Sequence, residues 1–467
     1  MLAEATKANW WKRESGGREV LALALPLMIS SGFLSLMLFI DRMFLFWHSP
    51  PELAAAMPAG MCYWTLLCFP LGLVSYVNTF VAQYHGVAQP QRIGTAVSQG
   101  IWLGISSLPL FLCLIPLAPM LFRFFEHPEE VLKFEIVYFQ FLMLGAGAGV
   151  ISAAQATYYT GRGITRVEMY ISVASTCLNA LLDYVLIFGA GGFPELGIAG
   201  AAIATAIAQW IKVIAYFFLL RRPAVRNKFF LPTSRRLDFT LMRRIVRYGG
   251  PSGLQFFVES LAFTWVIFEM GQNGVIAMAA TTLAFNINSV AFIPMNGISI
   301  AVSILVGQKL TASRVDLAAR ATWTALVIGL LYTGIFAAAY LAIPDWFLWG
   351  HARGADPETF SAVRDVAVVL LRFVAVYCIF DSMQLVFVGA IKGAGDTWFV
   401  LRTTVWISTI GLLIGTLGER QFAGGLYWWW SLIAAWIFLL GVIYLGRFQQ
   451  GKWREMRVIE SEFNPKT

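Results

Sequence analysis

The stretch VLALALPLMISSGFLSLMLFIDRMFLFW, residues 20–47, decides the fold class of this chain. Its only charged residues are Asp41 and Arg42, and it is longer than the roughly 20 apolar residues that an α-helix needs to cross a bilayer. It is also too long for the apolar part of a cleaved signal peptide, and further apolar runs follow it. We therefore predict that it is a retained transmembrane helix.

The rest of the chain has the same character. Of its 467 residues, 58% are hydrophobic and only 13% are charged, and the mean hydropathy is +0.69. A soluble domain carries about 25% charged residues. The apolar runs predict an all-α membrane protein with twelve transmembrane helices and no separate soluble domain. We place these spans at 20–47, 53–83, 93–122, 131–160, 164–190, 194–220, 242–270, 276–308, 316–345, 360–391, 397–417 and 424–446.

The net charge of +8 is distributed unevenly along the chain. With the N-terminus inside, Lys and Arg concentrate in the cytoplasmic segments, above all in 221–247, whereas the opposite loops are acidic. This positive-inside pattern predicts a multi-pass protein of the plasma (inner) membrane with both termini in the cytoplasm. We expect the basic segment to contact anionic lipids on the cytoplasmic face, and we expect no nucleic-acid partner.

The two halves of the chain resemble each other. Three pairs of residues at matching places in the spans are each separated by 225 positions: Pro26 and Pro251, Gly72 and Gly297, Gln83 and Gln308. Each half holds six predicted spans, an even number, so both halves enter the membrane in the same direction. The repeat predicts two six-helix lobes related by a pseudo-two-fold along the membrane normal, with a cavity near mid-membrane.

The repeat also sets the predicted domains. They are an N-terminal six-helix lobe at 1–220, a basic cytoplasmic linker at 221–241, a C-terminal six-helix lobe at 242–447 and a cytoplasmic tail at 448–467. A cavity between two lobes of one chain needs no partner subunit. We therefore expect a monomer.

Four carboxylates lie within or at the ends of these apolar runs: Asp41, Asp183, Glu259 and Asp381. An ionised carboxylate near mid-membrane costs at least roughly 2.5 to 3.5 kcal/mol on insertion scales. Such residues therefore usually face a water-filled cavity and handle protons, ions or substrate. A static twelve-helix scaffold would leave them unexplained, so they predict a transporter.

In the first lobe, Asn179 and Asp183 are four residues apart and share one face of the fifth span. With Asp41 they are expected to form an acidic pocket that coordinates a monovalent cation or holds a protonated acid. The alternative for Asp183 is solvation near the outer end of its span. The span of Asp41 could likewise end there, because Arg42 follows. Adjacent helical residues, however, point about 100° apart, so Arg42 can face outward while Asp41 faces the bundle.

In the second lobe, Glu259 lies in the seventh span and Asp381 near the centre of the tenth. Tyr377 precedes Asp381 by four residues and shares its face. The phenol can donate a hydrogen bond to the carboxylate or offer its ring to an organic cation. These three residues form the second candidate site.

The chain offers little that would support an enzyme or a cofactor. The four histidines, His48, His85, His127 and His351, lack ligand spacing, so no metal centre is expected, although Na⁺ could bind at the same acidic residues. The string Gly393 to Asp396 fits the G-x-G-D motif of intramembrane aspartyl proteases. However, Asp396 lies about 22 Å along a helix axis from Asp381, too far for an acid dyad. We find no nucleophile with a base and no cofactor motif.

In order and spacing, several strings resemble the multidrug and toxic compound extrusion (MATE) family over essentially the whole chain, and its bacterial NorM-like branch in particular. They are Ala24-Leu25-Pro26, Phe39-Ile40-Asp41, Asn179 with Asp183, Pro251-Ser252-Gly253-Leu254 before Glu259, and Asp381 before Gly389-Ala390-Ile391-Lys392-Gly393. The resemblance implies a first-lobe ion site at Asp41, Asn179 and Asp183. It implies a second-lobe site at Glu259, Tyr377 and Asp381.

The resemblance further implies an antiporter that exports amphipathic, mostly cationic organic compounds in exchange for H⁺ or Na⁺ by alternating access. The same carboxylates serve either ion, so the coupling ion stays open. The alternative function is a flippase of lipid-linked precursors from the same superfamily. Such a protein is expected to line its cavity with several cations for pyrophosphate, and the spans here offer mainly Lys212 and Arg372.

Overall fold

In the computed structural model, residues 10–124, 128–230, 236–352, 357–422 and 424–460 are described. Within these ranges there is no strand, and the regular structure consists of α-helices and two short 3₁₀ segments, Ala190–Gly192 and Lys452–Glu455. The helices are α1 Gly17–His48, α2 Pro50–Ser75, α3 Val77–Gly86, α4 Pro90–Ser106, α5 Leu108–Arg123, α6 Glu129–Thr160, α7 Thr165–Phe188, α8 Ile198–Arg221, α9 Pro223–Phe229, α10 Phe239–Gly271, α11 Val275–Thr311, α12 Val315–Ala342, α13 Pro344–Ala352, α14 Pro357–Ala394, α15 Thr397–Phe422 and α16 Gly425–Gln449.

Twelve helical stretches of the described chain are long and apolar enough to cross a membrane, which confirms the predicted number of spans. Every predicted limit lies within four residues of the observed one. Two spans contain a break that the sequence did not indicate: α2 and α3 meet at Tyr76, and α4 and α5 meet at Ser107. Both residues keep right-handed helical angles. The chain therefore continues across each break as one membrane crossing.

The turns confirm that the halves repeat. Ala88 and Ser313, which are 225 positions apart, both have a positive φ, of 54° and 60°. Such a conformation is uncommon for residues other than glycine. Gly163 and Gly395, from the second matched string, also have positive φ values. The repeat therefore extends from sequence to the backbone geometry of the turns.

By packing, the chain divides into two units. Unit 1 comprises 1–28 and 258–457, and unit 2 comprises 29–257 and 458–467. The divisions fall inside α1 and α10, not in the predicted linker, because each of these helices packs its first turns in one unit and its remainder in the other. The predicted lobe boundaries describe the repeat and stay a prediction. Residues 231–235 of the linker and 461–467 of the tail lie outside the described residues.

Glycines allow the N-terminal parts of α1 and α10 to pack closely against neighbouring helices. In unit 2, a Cβ added to Gly72 of α2 would lie 2.8 Å from the Cα of Gly253 in α10. In unit 1, a Cβ added to Gly297 of α11 would lie 2.5 Å from the nitrogen of Met28 in α1. Only glycine allows the two backbones to approach so closely. The repeat pair Gly72 and Gly297 thus marks equivalent helix crossings in the two units.

Candidate ion and substrate sites

The predicted first-lobe residues form one compact cluster in unit 2. Asp41 of α1 is 4% exposed, and Asn179 and Asp183 of α7 are fully buried. In the orientation that satisfies its hydrogen bonds, the Asn179 amide nitrogen lies 3.1 Å from Oδ1 of Asp41 and 3.2 Å from Oδ2 of Asp183. The two carboxyl groups interact electrostatically with each other. A proton on one of two neighbouring buried carboxyl groups relieves the repulsion between their charges.

Helix geometry accounts for this cluster. Asn179 and Asp183 are one turn apart on α7 and project to the same side. Asp41 is buried while its neighbour Arg42 is exposed, as the 100° rotation between adjacent residues predicts. The burial of Asp183 excludes the alternative of a solvated carboxylate at the end of a span.

One oxygen of the cluster is unsatisfied. Oδ1 of Asp183 is buried and accepts no hydrogen bond from the described residues. In this orientation the amide oxygen of Asn179 faces α8, where the hydroxyl of Thr205 lies 3.4 Å away. Tyr138 of α6 lies within electrostatic range of both carboxylates. A buried carboxylate oxygen without a donor attracts a proton or a small cation.

The Asn179 amide can serve either occupant. With its nitrogen toward Asp41 and Asp183 it donates to both carboxylates, which suits the protonated pair. Turned over, the same amide presents its carbonyl oxygen, which is a ligand for hard cations. The residues of the cluster therefore have the chemistry to hold either H⁺ or Na⁺.

The predicted second-lobe residues lie in unit 1 and are more loosely arranged. Asp381 of α14 is 5% exposed, whereas Glu259 of α10 is half-buried. Glu259 accepts a hydrogen bond from Thr404 of α15 at 3.4 Å, and Thr404 bonds Tyr444 of α16 at 3.0 Å. Glu259 and Asp381 interact electrostatically. The structure thus brings both carboxylates together at longer range than in the first cluster.

Tyr377 differs from the expectation. Between the described residues, no hydrogen bond joins its phenol to Asp381, although the two groups interact electrostatically. The Tyr377 ring is buried and stacks on Trp430 at 6.4 Å, and Trp430 stacks on Phe285 at 4.8 Å. This aromatic stack fixes the ring, which explains why the phenol does not bond the carboxylate in this structure.

Several residues next to the two sites were not predicted from the sequence. Thr205, Thr404 and Tyr444 carry neutral hydroxyl groups, which nothing in the sequence distinguishes from other buried hydroxyls. Lys392 was visible only as part of a family string, yet it interacts electrostatically with Glu259. Its spacing of eleven residues from Asp381, about three helical turns, was a usable signal that both residues share a face of α14.

The other residues that the sequence analysis considered do not belong to the two sites. Asp396 pairs with Arg447, with 2.6 Å between Nη2 and Oδ2, which agrees with the rejection of an aspartyl dyad. Lys212 pairs with Glu168 at 3.2 Å, and Arg372 is exposed. His127 lies outside the described residues. In the part that the structure describes, no group of three or more His, Cys, Asp or Glu residues is arranged to hold a metal ion.

Twelve apolar spans with buried carboxyl groups in both units define a membrane transporter by fold and site. A sequence model of the MatE family matches residues 26–185 and 251–417. The chain therefore belongs to the MatE family, as its motifs predicted. The matched ranges include Asp41, Asn179 and Asp183 in one half and Glu259 and Asp381 in the other.

Curated relatives agree with this assignment. A protein from Chromobacterium violaceum named probable multidrug resistance protein NorM is 25% identical over 459 residues, which cover 96% of this chain and 97% of that protein. A protein of the same name from Pseudomonas putida is 29% identical over 429 residues, which cover 89% and 90%. The NorM-like branch suggested by the sequence is thereby confirmed.

Solved structures share the fold. A crystal structure of MATE in complex with MaL6 has a TM-score of 0.84 at 18% identity and covers 96% of this chain and 99% of that chain. A MOP superfamily transporter from Pyrococcus furiosus has the same TM-score and identity, covering 96% and 98%. These likenesses confirm an all-α fold of the MATE type.

Proposed function

We propose that this protein is a secondary active antiporter that exports amphipathic, mostly cationic organic compounds in exchange for H⁺ or Na⁺. The observation that carries the proposal is the buried cluster of Asp41, Asn179 and Asp183, with an unsatisfied carboxylate oxygen inside transmembrane helices. A group of this kind binds a small cation and releases it when its surroundings change. The names of the two bacterial relatives support drugs as the substrate class.

Exchange follows from competition for the same negative charge. A carboxylate cannot hold a coupling ion and a cationic substrate at full strength together. Binding of one therefore favours release of the other, and each ligand stabilises the state that it binds more tightly. We propose that Asp41 and Asp381 carry most of this coupling, with Asn179, Asp183, Glu259 and Tyr377 supporting them.

The orientation and environment form part of the same proposal. We place the protein in the plasma (inner) membrane with both termini in the cytoplasm, on the distribution of Lys and Arg. Arg221, Arg222, Arg226 and Lys228 are exposed around α9, where they can contact anionic lipid headgroups. We propose that the protein acts as a monomer on small organic cations, with no enzymatic step, no cofactor and no nucleic-acid partner.

The flippase alternative finds less support. It relied on Lys212 and Arg372 as cavity cations for pyrophosphate. Lys212 is paired with Glu168, which neutralises it, and Arg372 is exposed. Neither residue offers the buried positive charge that a pyrophosphate group would require.

The test is efflux of a fluorescent organic cation such as ethidium from proteoliposomes. An imposed pH gradient and an imposed Na⁺ gradient are applied separately. Transport driven by either gradient is expected and identifies the ion. Failure of both gradients to drive transport would contradict the proposal, and lipid-linked or anionic substrates would then be assayed with the same vesicles.

A further inference from the structure

A continuous polar stripe runs along α7. Glu168, Ser172, Thr176, Asn179 and Asp183 follow one another at spacings of four, four, three and four residues. At 100° per residue they lie within about 80° of one another, and the stripe is about 22 Å long. It therefore covers most of the roughly 30 Å of a bilayer's hydrocarbon core.

The stripe faces the interior of unit 2. Ser172, Thr176, Asn179 and Asp183 are each 8% exposed or less. The opposite face of α7 carries Tyr170, Leu181 and Tyr184, which are all more than half exposed. α7 thus has one apolar outer face and one polar buried face along nearly its whole length.

The end of the stripe farthest from Asp183 contains a second ionisable group, which is half-buried. Oε1 of Glu168 lies 2.9 Å from the Ser172 hydroxyl, 3.5 Å from the Ser30 hydroxyl and 3.2 Å from Nζ of Lys212. Tyr216 donates to Oε2. The side chains of Glu168 and Lys212 are only 14% and 19% exposed. Three helices, α1, α7 and α8, therefore meet around this carboxylate.

The groups around Glu168 also connect it to the middle of the stripe. Ser30 of α1 donates to Ser172 at 2.8 Å, and Lys212 lies 3.2 Å from the same oxygen. One turn further along α7, Thr176 donates to the carbonyl oxygen of Phe33 in α1 at 3.3 Å. Neighbouring side chains of the stripe are about 5 to 6 Å apart, a gap that one water molecule can bridge.

A purely structural ion pair explains this arrangement poorly. An ion pair that is largely withdrawn from water is often no more stabilising than apolar residues of the same volume. A structural ion pair would also need no hydroxyl groups between it and the cluster of Asp41, Asn179 and Asp183. The titratable groups that face Glu168 are Lys212 and Tyr216 of α8, and the ring of Tyr159 in α6 lies 6.2 Å from that of Tyr216 in a tilted arrangement. Ser30 is the polar side chain from α1.

We propose that Glu168, paired with Lys212, is a second proton-binding site, linked through Ser172 and Thr176 to the Asp41–Asn179–Asp183 cluster. The proposal rests on the proposed antiport function and specifies H⁺ as an ion that the N-terminal helices conduct. When the cluster releases a proton, the Glu168 carboxylate accepts it and becomes neutral, while Lys212 keeps its positive charge. Glu168 then passes the proton to water at the end of α7 and α8 that we assign to the cytoplasm.

Four variants in proteoliposomes test the relay, with ethidium efflux and internal pH followed together. Glu168→Gln removes the proton acceptor, Thr176→Val removes the link without touching the ion pair, and Glu168→Gln with Lys212→Met removes both charges. Glu168→Asp keeps the acid. The matched controls are Glu130→Gln, an exposed carboxylate of α6, and Thr157→Val, a buried hydroxyl that bonds its own helix at Ala154.

The expected result is that Glu168→Gln and the double variant slow H⁺-driven efflux roughly 100-fold or more, the scale of losing a positioned acid–base group. Thr176→Val should slow it less, Glu168→Asp should recover most of the rate with a displaced pH profile, and both controls should match the wild type. Recovery in the double variant would overturn the relay, because it would show that only charge balance matters. An unchanged rate and pH profile in Glu168→Gln would overturn it as well.

A spectroscopic measurement on the wild type keeps the proposal testable if a variant does not fold. Infrared difference spectra on acidification, with glutamate labelled at the carboxyl carbon, should show a buried glutamic acid band that disappears in Glu168→Gln. Absence of that band in the wild type would contradict the relay. Wild-type transport by Na⁺ alone would also contradict it while sustaining antiport, whereas failure of both gradients would contradict the proposed function itself.

Discussion

The two carboxylate clusters differ in how their charge is compensated. In unit 2, Asp41 and Asp183 share the Asn179 amide nitrogen, and among the described residues neither carboxylate is hydrogen-bonded to Lys or Arg. In unit 1, Glu259 and Asp381 interact at longer range, and Lys392 lies within electrostatic range of Glu259. The first cluster is closed and acidic, whereas the second is more open and partly balanced.

From this difference we expect the two sites to have different roles. Two buried carboxylates that lie close together cannot both be ionised at low cost, so we expect the first cluster to bind a proton or Na⁺. The second cluster has a buried carboxylate, Asp381, within electrostatic range of Tyr377, whose ring belongs to the aromatic stack. It is better suited to a larger organic cation. Ion coupling is thus expected to depend most steeply on the first cluster.

Asp41→Asn should have the largest effect. It removes one of the two charges that bind the coupling ion but keeps the shape of the side chain. We expect gradient-driven efflux to fall roughly 100-fold, near the upper end of usual coupling energies. Efflux from proteoliposomes measures this, with the exposed Asp316→Asn as the control. Wild-type efflux in Asp41→Asn would contradict the claim that ion coupling depends most steeply on the first cluster.

Asp381→Asn should have the next largest effect. Its charge acts together with Glu259 and is partly compensated, so we expect a loss of roughly tenfold. The same assay measures it, and the double variant with Asp41→Asn should be inactive. If both single variants leave efflux unchanged, the assignment of coupling to these two residues is wrong.

Lys392→Met should strengthen the binding of organic cations at the unit 1 site, whereas the two Asp→Asn variants weaken transport. Without the ammonium group, the charges of Glu259 and Asp381 are less compensated, so the unit 1 site should bind an organic cation more tightly. We expect the apparent KM for ethidium to fall about fivefold, with no gain in maximal rate. Exposed Lys133→Met is the control. A KM that rises would show that Lys392 assists substrate binding.

Tyr377→Phe should have the smallest effect. The phenol makes no hydrogen bond with Asp381 in the described structure, and the ring keeps its stack on Trp430. We expect the efflux rate to stay within about twofold of the wild type. By contrast, Tyr444→Phe removes a hydrogen bond to Thr404 and should cost about 1 kcal/mol of stability. Thermal unfolding in detergent measures the second effect. A loss in Tyr377→Phe as large as in Asp381→Asn would contradict the stacking account.

The sequence predicted the spans and the pairing of Asn179 with Asp183 because both follow from local rules. Hydrophobic length defines a membrane crossing, and a spacing of four residues places Asn179 and Asp183 together. Partners on other helices depend on how each helix is rotated about its axis, which no local pattern encodes. Thr205, Thr404 and the pair of Glu168 with Lys212 were missed for that reason.

The divisions inside α1 and α10 were missed for a related reason. The repeat identifies equivalent segments but not the unit in which each segment packs. Gly72 and Gly297 were recognised as a repeat pair, yet their role as contact points for Gly253 and Met28 becomes visible only in three dimensions.

Simultaneous measurement of substrate and ion flux tests the central claim most directly. Vesicles containing the protein are loaded with a pH-sensitive dye and with radioactive Na⁺, and ethidium is added to one side with no imposed ion gradient. The account predicts that ethidium uptake drives H⁺ or Na⁺ in the opposite direction, and that Asp41→Asn abolishes this ion movement. Ethidium transport without ion movement, or with ions moving in the same direction, would contradict antiport.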